Sequence, residues 1–271
     1  MTTRTLATRT AAEPLGTAAV AAPPGTVPAA ATLALARAVA IEARKLVNTR
    51  AGVALVVAGA LLSGVFAGGS ALFPTPETGF AQLASMAAMP VTMIVMAMSA
   101  LLAAGEFSAG TAPVTLTLDP RRGRVVAAKA LVVLTLAIVA TLLAFAAAAL
   151  TMLVAPALTG VPLSWGNSLL RLGVLLGNAV HLALAGFVLA LALRNAPAPI
   201  AFLLVWPTVA MLISRISAGA AAVMSFVSID PFYNLMPDVT GAGLPGLVVS
   251  VLFWLVLPGA IGILRLLRDD L

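Results

Sequence analysis

The stretch Gly105–Lys129, GEFSAGTAPVTLTLDPRRGRVVAAK, is the longest part of the chain in which charges lie close together between two long apolar runs. The 28 residues from Thr78 to Gly105 and the 41 from Ala130 to Leu170 contain no Asp, Glu, Lys or Arg. About 20 predominantly apolar residues suffice to cross a bilayer. The stretch therefore predicts a loop that joins two membrane spans.

A short helix is predicted within this loop. Thr111 is a typical N-cap residue, and Pro113 is tolerated in the first turn because its missing N–H would have no partner there. Pro120 disfavours a helix at the residue before it, so the helix should end near Leu118, and the next should begin at Val125. Helical spacing places a mildly apolar stripe, suited to docking on a soluble partner, at Thr111, Val114, Thr115 and Leu118.

Four short motifs follow one another along the loop. They are Glu106-Phe107, Gly110-Thr111, Asp119-Pro120-Arg121-Arg122 and Lys129. This order resembles the cytoplasmic loop after the second span of ABC-2 type transporter permeases. In that family the loop contains a coupling helix that sits in a cleft of the ATPase subunit. The resemblance implies ATPase contacts at Glu106, Phe107, Thr111, Val114, Thr115, Leu118, Arg121 and Arg122. Ser108 and Ala109 depart from the commonest pattern, in which these positions are bulkier and polar.

The composition is that of an integral membrane protein. Hydrophobic residues make up 62%, charged residues 9%, and the mean hydropathy is +1.12, whereas soluble domains carry about a quarter charged residues. The net charge of +6 is explained by basic cytoplasmic loops rather than by nucleic-acid binding. With no cysteine and one histidine, a metal site is not expected.

The chain divides into three parts. Residues 1–31 are rich in Thr, Ala and Pro and predict a disordered tail. Residues 32–50 predict an amphipathic helix lying on the inner membrane surface, although a helix in solvent fits the pattern equally well. Residues 51–271 predict one all-α domain of six spans, at Ala51–Gly69, Phe80–Ala104, Val126–Val154, Leu169–Leu193, Ala198–Ser214 and Leu244–Leu264.

The basic residues predict the orientation of these spans. Six crossings put both termini on one side, and a cytoplasmic location for the termini leaves only Arg171 and Arg215 outside, a split of 13 to 2. The cytoplasmic set is Arg4, Arg9, Arg37, Arg44, Lys45, Arg50, Arg121, Arg122, Arg124, Lys129, Arg194, Arg265 and Arg268. The abundance of Ala and Arg is typical of high-GC bacteria, so the expected location is a bacterial cell membrane.

The outer segment between the fifth and sixth spans, Ile216–Gly243, contains one apolar piece, Ala220–Val227, that is too short to cross. It is predicted to dip into the membrane and return.

His181 is the polar residue within the spans that most needs explanation. It lies about ten residues inside Arg171, near the bilayer midplane at about 1.5 Å per residue, where a polar group is costly. It could line a substrate path with Asn178, Met93 and Met96. Alternatively, it forms a hydrogen bond across helices, for which Asn178 is a candidate, and the methionines are ordinary packing residues.

Motifs for other activities are missing or lack context. No GxSxG occurs, and neither lysine follows a glycine as a P-loop requires. The letters GxGxxG at Gly241–Gly246 lack the strand-turn-helix context of a nucleotide site. Gly64/Gly68 and Gly173/Gly177 have the GxxxG spacing of close helix packing, within or between protomers.

The resemblance implies the membrane-spanning subunit of an ATP-driven exporter of a hydrophobic or amphipathic substrate. Its partners would be ABC ATPase subunits, a second identical or homologous permease, and membrane lipids. The chain itself would need no cofactor, since ATP and Mg would bind the ATPase. Two alternatives stay open, which are a lipid-modifying enzyme using His181 with Asp230 or Asp238, and a scaffold or sensor subunit.

The predicted orientation can be tested with single cysteines. Because both termini are expected in the cytoplasm, Thr10→Cys and Asp270→Cys should be shielded from a membrane-impermeant thiol reagent in intact cells, whereas Thr240→Cys should be labelled. Labelling at position 270 but not at 240 would overturn the orientation.

Overall fold

The computed structural model describes residues 27–75, 78–108, 122–166, 169–236 and 242–268. These residues are mainly α-helical, and an isolated bridge between Gly79 and Ser164 is their only β pairing. The helices are α1 (Val27–Val47), α2 (Arg50–Leu72), α3 (Phe80–Ser108), α4 (Arg122–Thr159), α5 (Leu169–Leu193), α6 (Pro197–Ser214), α7 (Ala218–Phe226) and α8 (Gly243–Arg268), with a 3-10 helix at Pro231–Leu235.

Six of these helices, α2 to α6 and α8, are long and apolar enough to cross a membrane. They coincide with the six predicted spans, so the predictions of a helical fold and of six helices able to span a membrane are confirmed for the described residues, and the fold fits a multi-pass membrane protein. Residues 130–159 of the long charge-free interval after Lys129 belong to one continuous helix of 38 residues, Arg122–Thr159. At about 1.5 Å per residue α4 is about 57 Å long, nearly twice the thickness of the hydrocarbon core.

The helices continue beyond the apolar segments that predicted them. α3 includes Glu106 and Phe107 in its last turn, and α4 begins at Arg122 rather than at Val125. Pro156, expected in a loop, lies inside α4. An apolar run marks only the part of a helix that crosses lipid. The helix can continue beyond it, because water solvates the polar side chains of the additional turns. Gly160 ends α4 instead, because its φ of +69° suits glycine.

The centre of the bundle is formed by α5 and α3, whose most apolar windows are 67% and 56% buried, against 11% for α6. Small residues allow the two central helices to approach closely. A Cβ atom added at Gly186 of α5 would lie 2.7 Å from the carbonyl oxygen of Met96 in α3. The weakly covered α6 leaves a large apolar surface for lipid or another chain.

A tight turn joins α1 to α2. Thr49 is the N-cap of α2, and its side-chain oxygen accepts a 3.0 Å hydrogen bond from the Gly52 N–H. A Cβ at Gly52 would lie 1.9 Å from the Leu46 carbonyl oxygen, so this position requires glycine. α1 covers 27–47 rather than the expected 32–50, with Pro28 in its first turn. Its location on the membrane surface stays a prediction.

The segment between α6 and α8 turns back on itself. Ser217 caps α7, and the C-terminal end of α7 contacts α8 well inside that helix. The Ser250 hydroxyl donates to the Phe226 carbonyl oxygen at 2.8 Å, and Trp254 Nε1 donates to that of Val227 at 3.1 Å. Because Ser250 lies seven residues into α8, about 10 Å along its axis, this geometry agrees with the predicted dip of this segment.

Candidate functional site at the charged end of the bundle

A buried ion pair links three helices at the end of the bundle where α1 and α4 meet. Lys129 Nζ on α4 lies 2.8 Å from Glu42 Oε2 on α1, and both side chains are only 6% exposed. Lys129 also donates a 3.1 Å hydrogen bond to the Leu102 carbonyl oxygen on α3. On α1 itself, Lys45 Nζ lies 2.6 Å from Glu42 Oε1. Both oxygens of the Glu42 carboxylate therefore face an ammonium group.

Because the pair is buried, its net contribution to stability differs from the cost of breaking it. Removing two charges from water costs several kcal/mol per ion, so the net stabilisation from a complete pair is small. Breaking the pair is different, since an orphan buried charge costs about 3–5 kcal/mol. The interaction therefore holds α1 in one register against α3 and α4, because any slip of α1 would separate the charges.

The sequence analysis missed Glu42. It placed Lys129 in the charged loop and considered only the basic residues of α1. Two signals could have found the pair. Glu42 is the only acidic residue between Glu13 and Glu77, and Lys129 lies four apolar residues beyond Arg124, at the edge of a charge-free span. Two isolated opposite charges at the same membrane face are expected to pair.

A second group of contacts joins the ends of α3, α5 and α8. Arg194 follows α5 with a φ of +52°, a left-handed conformation that costs a non-glycine residue about 1–2 kcal/mol. Its guanidinium lies 5.3 Å from the centre of the Phe107 ring at the end of α3. It also donates a 3.2 Å hydrogen bond to the Arg265 carbonyl oxygen, while Arg265 Nη1 donates to that of Ala192 at 2.5 Å.

Of the predicted coupling residues, Phe107 is the one whose side chain the structure describes. Phe107 belongs to the described region and stacks against Arg194. The backbone of Glu106 ends α3 and that of Arg122 begins α4, but their side chains lie outside the described part. The predicted short helix also lies outside it, with Thr111, Val114, Thr115, Leu118 and Arg121.

His181 and Asn178 lie on one face of α5, but they do not bond to each other. Asn178 Oδ1 accepts a 2.9 Å hydrogen bond from the Phe232 N–H in the 3-10 helix. The His181 side chain is 2% exposed, and neither of its ring nitrogens has a hydrogen-bond partner in the described residues. A buried polar group without a partner costs about 1–3 kcal/mol. His181 therefore has no stabilising role visible within this part of the chain.

The two methionines predicted to line a substrate path pack in an apolar cluster, and their role in such a path stays a prediction. Met96 is fully buried in a cluster with Leu182, Ala185 and Trp254, and Met93 packs against the same cluster. They lie beside the central helix that carries His181. The structure places all of them in the centre of the bundle.

The opposite end of the bundle carries the other acidic side chain that the structure describes, Asp230. Burial raises the pKa of this carboxyl to about 6. Burial and the neighbouring Asp230 charge also raise the pKa of Tyr233, and Arg171 and Ser85 oppose this rise. In the described ranges, no three His, Cys, Asp or Glu side chains are grouped as a metal site would require.

Comparison of the sequence with protein-family models and with curated proteins finds no match.

The buried pair can be tested with a double-mutant cycle. Glu42→Gln leaves the Lys129 charge without its partner, so we expect a loss of about 3–5 kcal/mol in unfolding free energy. Lys129→Met should cost less, because Lys45 still pairs with the Glu42 carboxylate. The double variant should recover most of the loss caused by Glu42→Gln, because no orphan charge remains. Unfolding in lipid nanodiscs provides the measurement.

Lys45→Met is the matched control for this cycle. Its side chain is 42% exposed, so the substitution should cost at most about 1 kcal/mol. Strictly additive losses in the Glu42/Lys129 double variant would show that the two side chains do not interact.

Substitutions of His181 and Asn178, which lie on the same helix, should change the thermal stability of the chain in opposite directions. His181→Leu removes a buried polar group without a partner, so the thermal unfolding temperature of the purified chain should rise. Asn178→Leu removes the acceptor for the Phe232 N–H, so the temperature should fall. An equal fall in both variants would mean that the imidazole is hydrogen-bonded in the intact protein.

Proposed function

We propose that this chain is the membrane-spanning subunit of an ABC-2 type exporter, which moves a hydrophobic or amphipathic substrate out of a bacterial cell. ATP hydrolysis would take place on separate ATPase chains that dock on the loop between α3 and α4. The proposal combines the resemblance of that loop with the six spans and with the contacts at its two ends.

The observation that carries the proposal is the attachment of both helices that flank the loop. Phe107, at the end of α3, contacts Arg194 and through it the ends of α5 and α8. Lys129, two turns into α4, is paired with Glu42 on α1. A force applied to the loop would therefore reach three further helices directly, which are α1, α5 and α8. A coupling element needs such connections, because the ATPase must bias the arrangement of the spans.

A second copy of the permease would have an available surface. A Cβ added at Gly64 or at Gly68 of α2 would contact nothing within 4 Å, and α6 is largely uncovered. These glycines therefore do not serve packing against the described part of their own chain. The GxxxG spacing favours close approach of another helix, such as one from the second copy.

The enzyme alternative has less support from the geometry. A His-Asp pair would need a hydrogen bond that orients the imidazole, but neither nitrogen of His181 has a partner in the described residues. Asp230 forms no described hydrogen bond through its carboxylate, and Asp238 lies outside the described part. No specific observation favours the scaffold alternative.

Coupling can be tested in a reconstituted complex with the ATPase that co-purifies from the host. Glu106→Gln should leave insertion intact but separate ATP hydrolysis from transport, because it removes one charge at the docking loop. Reversing both Arg121 and Arg122 to Glu should weaken ATPase association. Basal ATPase rate, substrate-stimulated rate and the amount of co-purified ATPase are the three readouts.

Arg215→Glu is the control, since it reverses a charge at the opposite end of the bundle. It should leave ATPase association unchanged. If the loop variants also leave all three readouts unchanged, or if no ATPase co-purifies with the native chain, the proposed coupling role is wrong.

A further inference from the structure

A cleft of about 400 Å³ lies between α6, α7 and the 3-10 helix, at the end of the bundle opposite to the Glu42–Lys129 pair. Both apolar and polar side chains line the cleft. The residues that matter for binding are Trp206, Met211, Met224, Ser225, Asp230 and Asn234. The volume suits a small organic molecule.

The polar groups of the cleft differ in whether they already have hydrogen-bond partners within the protein. The Ser214 and Ser225 hydroxyls donate to the carbonyl oxygens of their own helices at 2.7 Å. Asn234 Nδ2 donates to the Ser225 carbonyl oxygen at 3.1 Å. The Asp230 carboxylate, by contrast, has no hydrogen bond or salt bridge in the described part of the chain. Trp206 Nε1 also has no hydrogen-bond partner in the described residues. The available polar groups of the cleft are therefore one negatively charged acceptor and one indole N–H donor.

The charge on Asp230 is poorly solvated. Burial raises its pKa to about 6, so the carboxyl is ionised at neutral pH but at a cost. Two basic residues are present at this end of the bundle, Arg171 and Arg215, and neither forms a described salt bridge with it. A bound cation would offset the desolvation cost, because an opposite charge within about 4–6 Å favours the ionised form.

The remaining walls are suited to an organic cation. Trp206 packs edge-on against Trp254 with ring centres 5.2 Å apart, and against Phe202 at 5.7 Å, so its orientation is held by neighbours. An aromatic face attracts ammonium groups, most strongly for Trp. Met211 and Met224 add polarisable, adaptable surface for the apolar part of a ligand. An inorganic cation would instead require several oxygen ligands.

We propose that this cleft binds an organic ammonium ion, with the cationic group beside Asp230 and the apolar part against Trp206 and the two methionines. The site is independent of the proposed transport function, since binding requires neither an ATPase nor a second permease. If the chain is an exporter, the cleft would hold such a molecule on the outer side of the membrane.

Binding can be tested on the full chain in nanodiscs of neutral lipid, without ATPase. The probe is benzyltrimethylammonium, and the comparison is neopentylbenzene, which replaces the nitrogen with carbon and has no charge. Titration calorimetry and quenching of tryptophan fluorescence measure binding. We expect saturable binding of the cation and at least about tenfold weaker binding of its neutral analogue.

Asp230→Asn keeps the shape of the side chain and should weaken cation binding at least about tenfold without affecting the neutral analogue. Asp230→Glu retains the charge and should preserve binding within a few-fold, which also provides a test if the Asn variant fails to fold. Ser214→Ala is the matched control, because that hydroxyl is already bonded within α6, and it should not change the affinity. Equal binding of both probes, or unchanged affinity in Asp230→Asn, would overturn the proposal.

Discussion

The buried ion pair between Glu42 and Lys129 constrains how α1, α3 and α4 fit together. Lys129 on α4 bonds to the Glu42 carboxylate on α1 and to the Leu102 carbonyl oxygen on α3. Apolar packing alone would allow α1 to slide, because the aliphatic surfaces of neighbouring helices are similar from turn to turn. A charge pair excluded from water has one satisfactory geometry, so it adds specificity where apolar packing adds mainly cohesion.

The two ends of the bundle use charge in different ways. At the end with α1, acidic and basic groups meet within the protein, and Arg194 adopts a left-handed conformation while its side chain contacts two other helices. At the other end, Asp230 remains without a described partner. The first arrangement fixes the positions of helices, whereas the second leaves a charge that an external molecule can neutralise.

The lengths of the charge-free apolar intervals were enough to predict the six helices that are able to span a membrane. Each charge-free interval became one helix because lipid leaves the backbone no alternative to internal hydrogen bonds. Helix ends were less predictable, as Pro156 inside α4 shows, since beyond the apolar region both helix and loop are allowed. The Glu42–Lys129 and Asn178–Phe232 contacts could not be derived from spacing, because they join residues 87 and 54 positions apart.

The length of α4 has a mechanical consequence. A continuous helix of 38 residues acts as a stiff rod that extends from the predicted docking loop to the opposite face. A tilt of about 5° over about 57 Å displaces one end by about 5 Å relative to the other. Lys129 lies close to the loop end of this rod, so its ion pair with Glu42 is placed where a pivot would be. Small rotations near the loop would then produce the largest movements at Thr159, on the far side of the bundle.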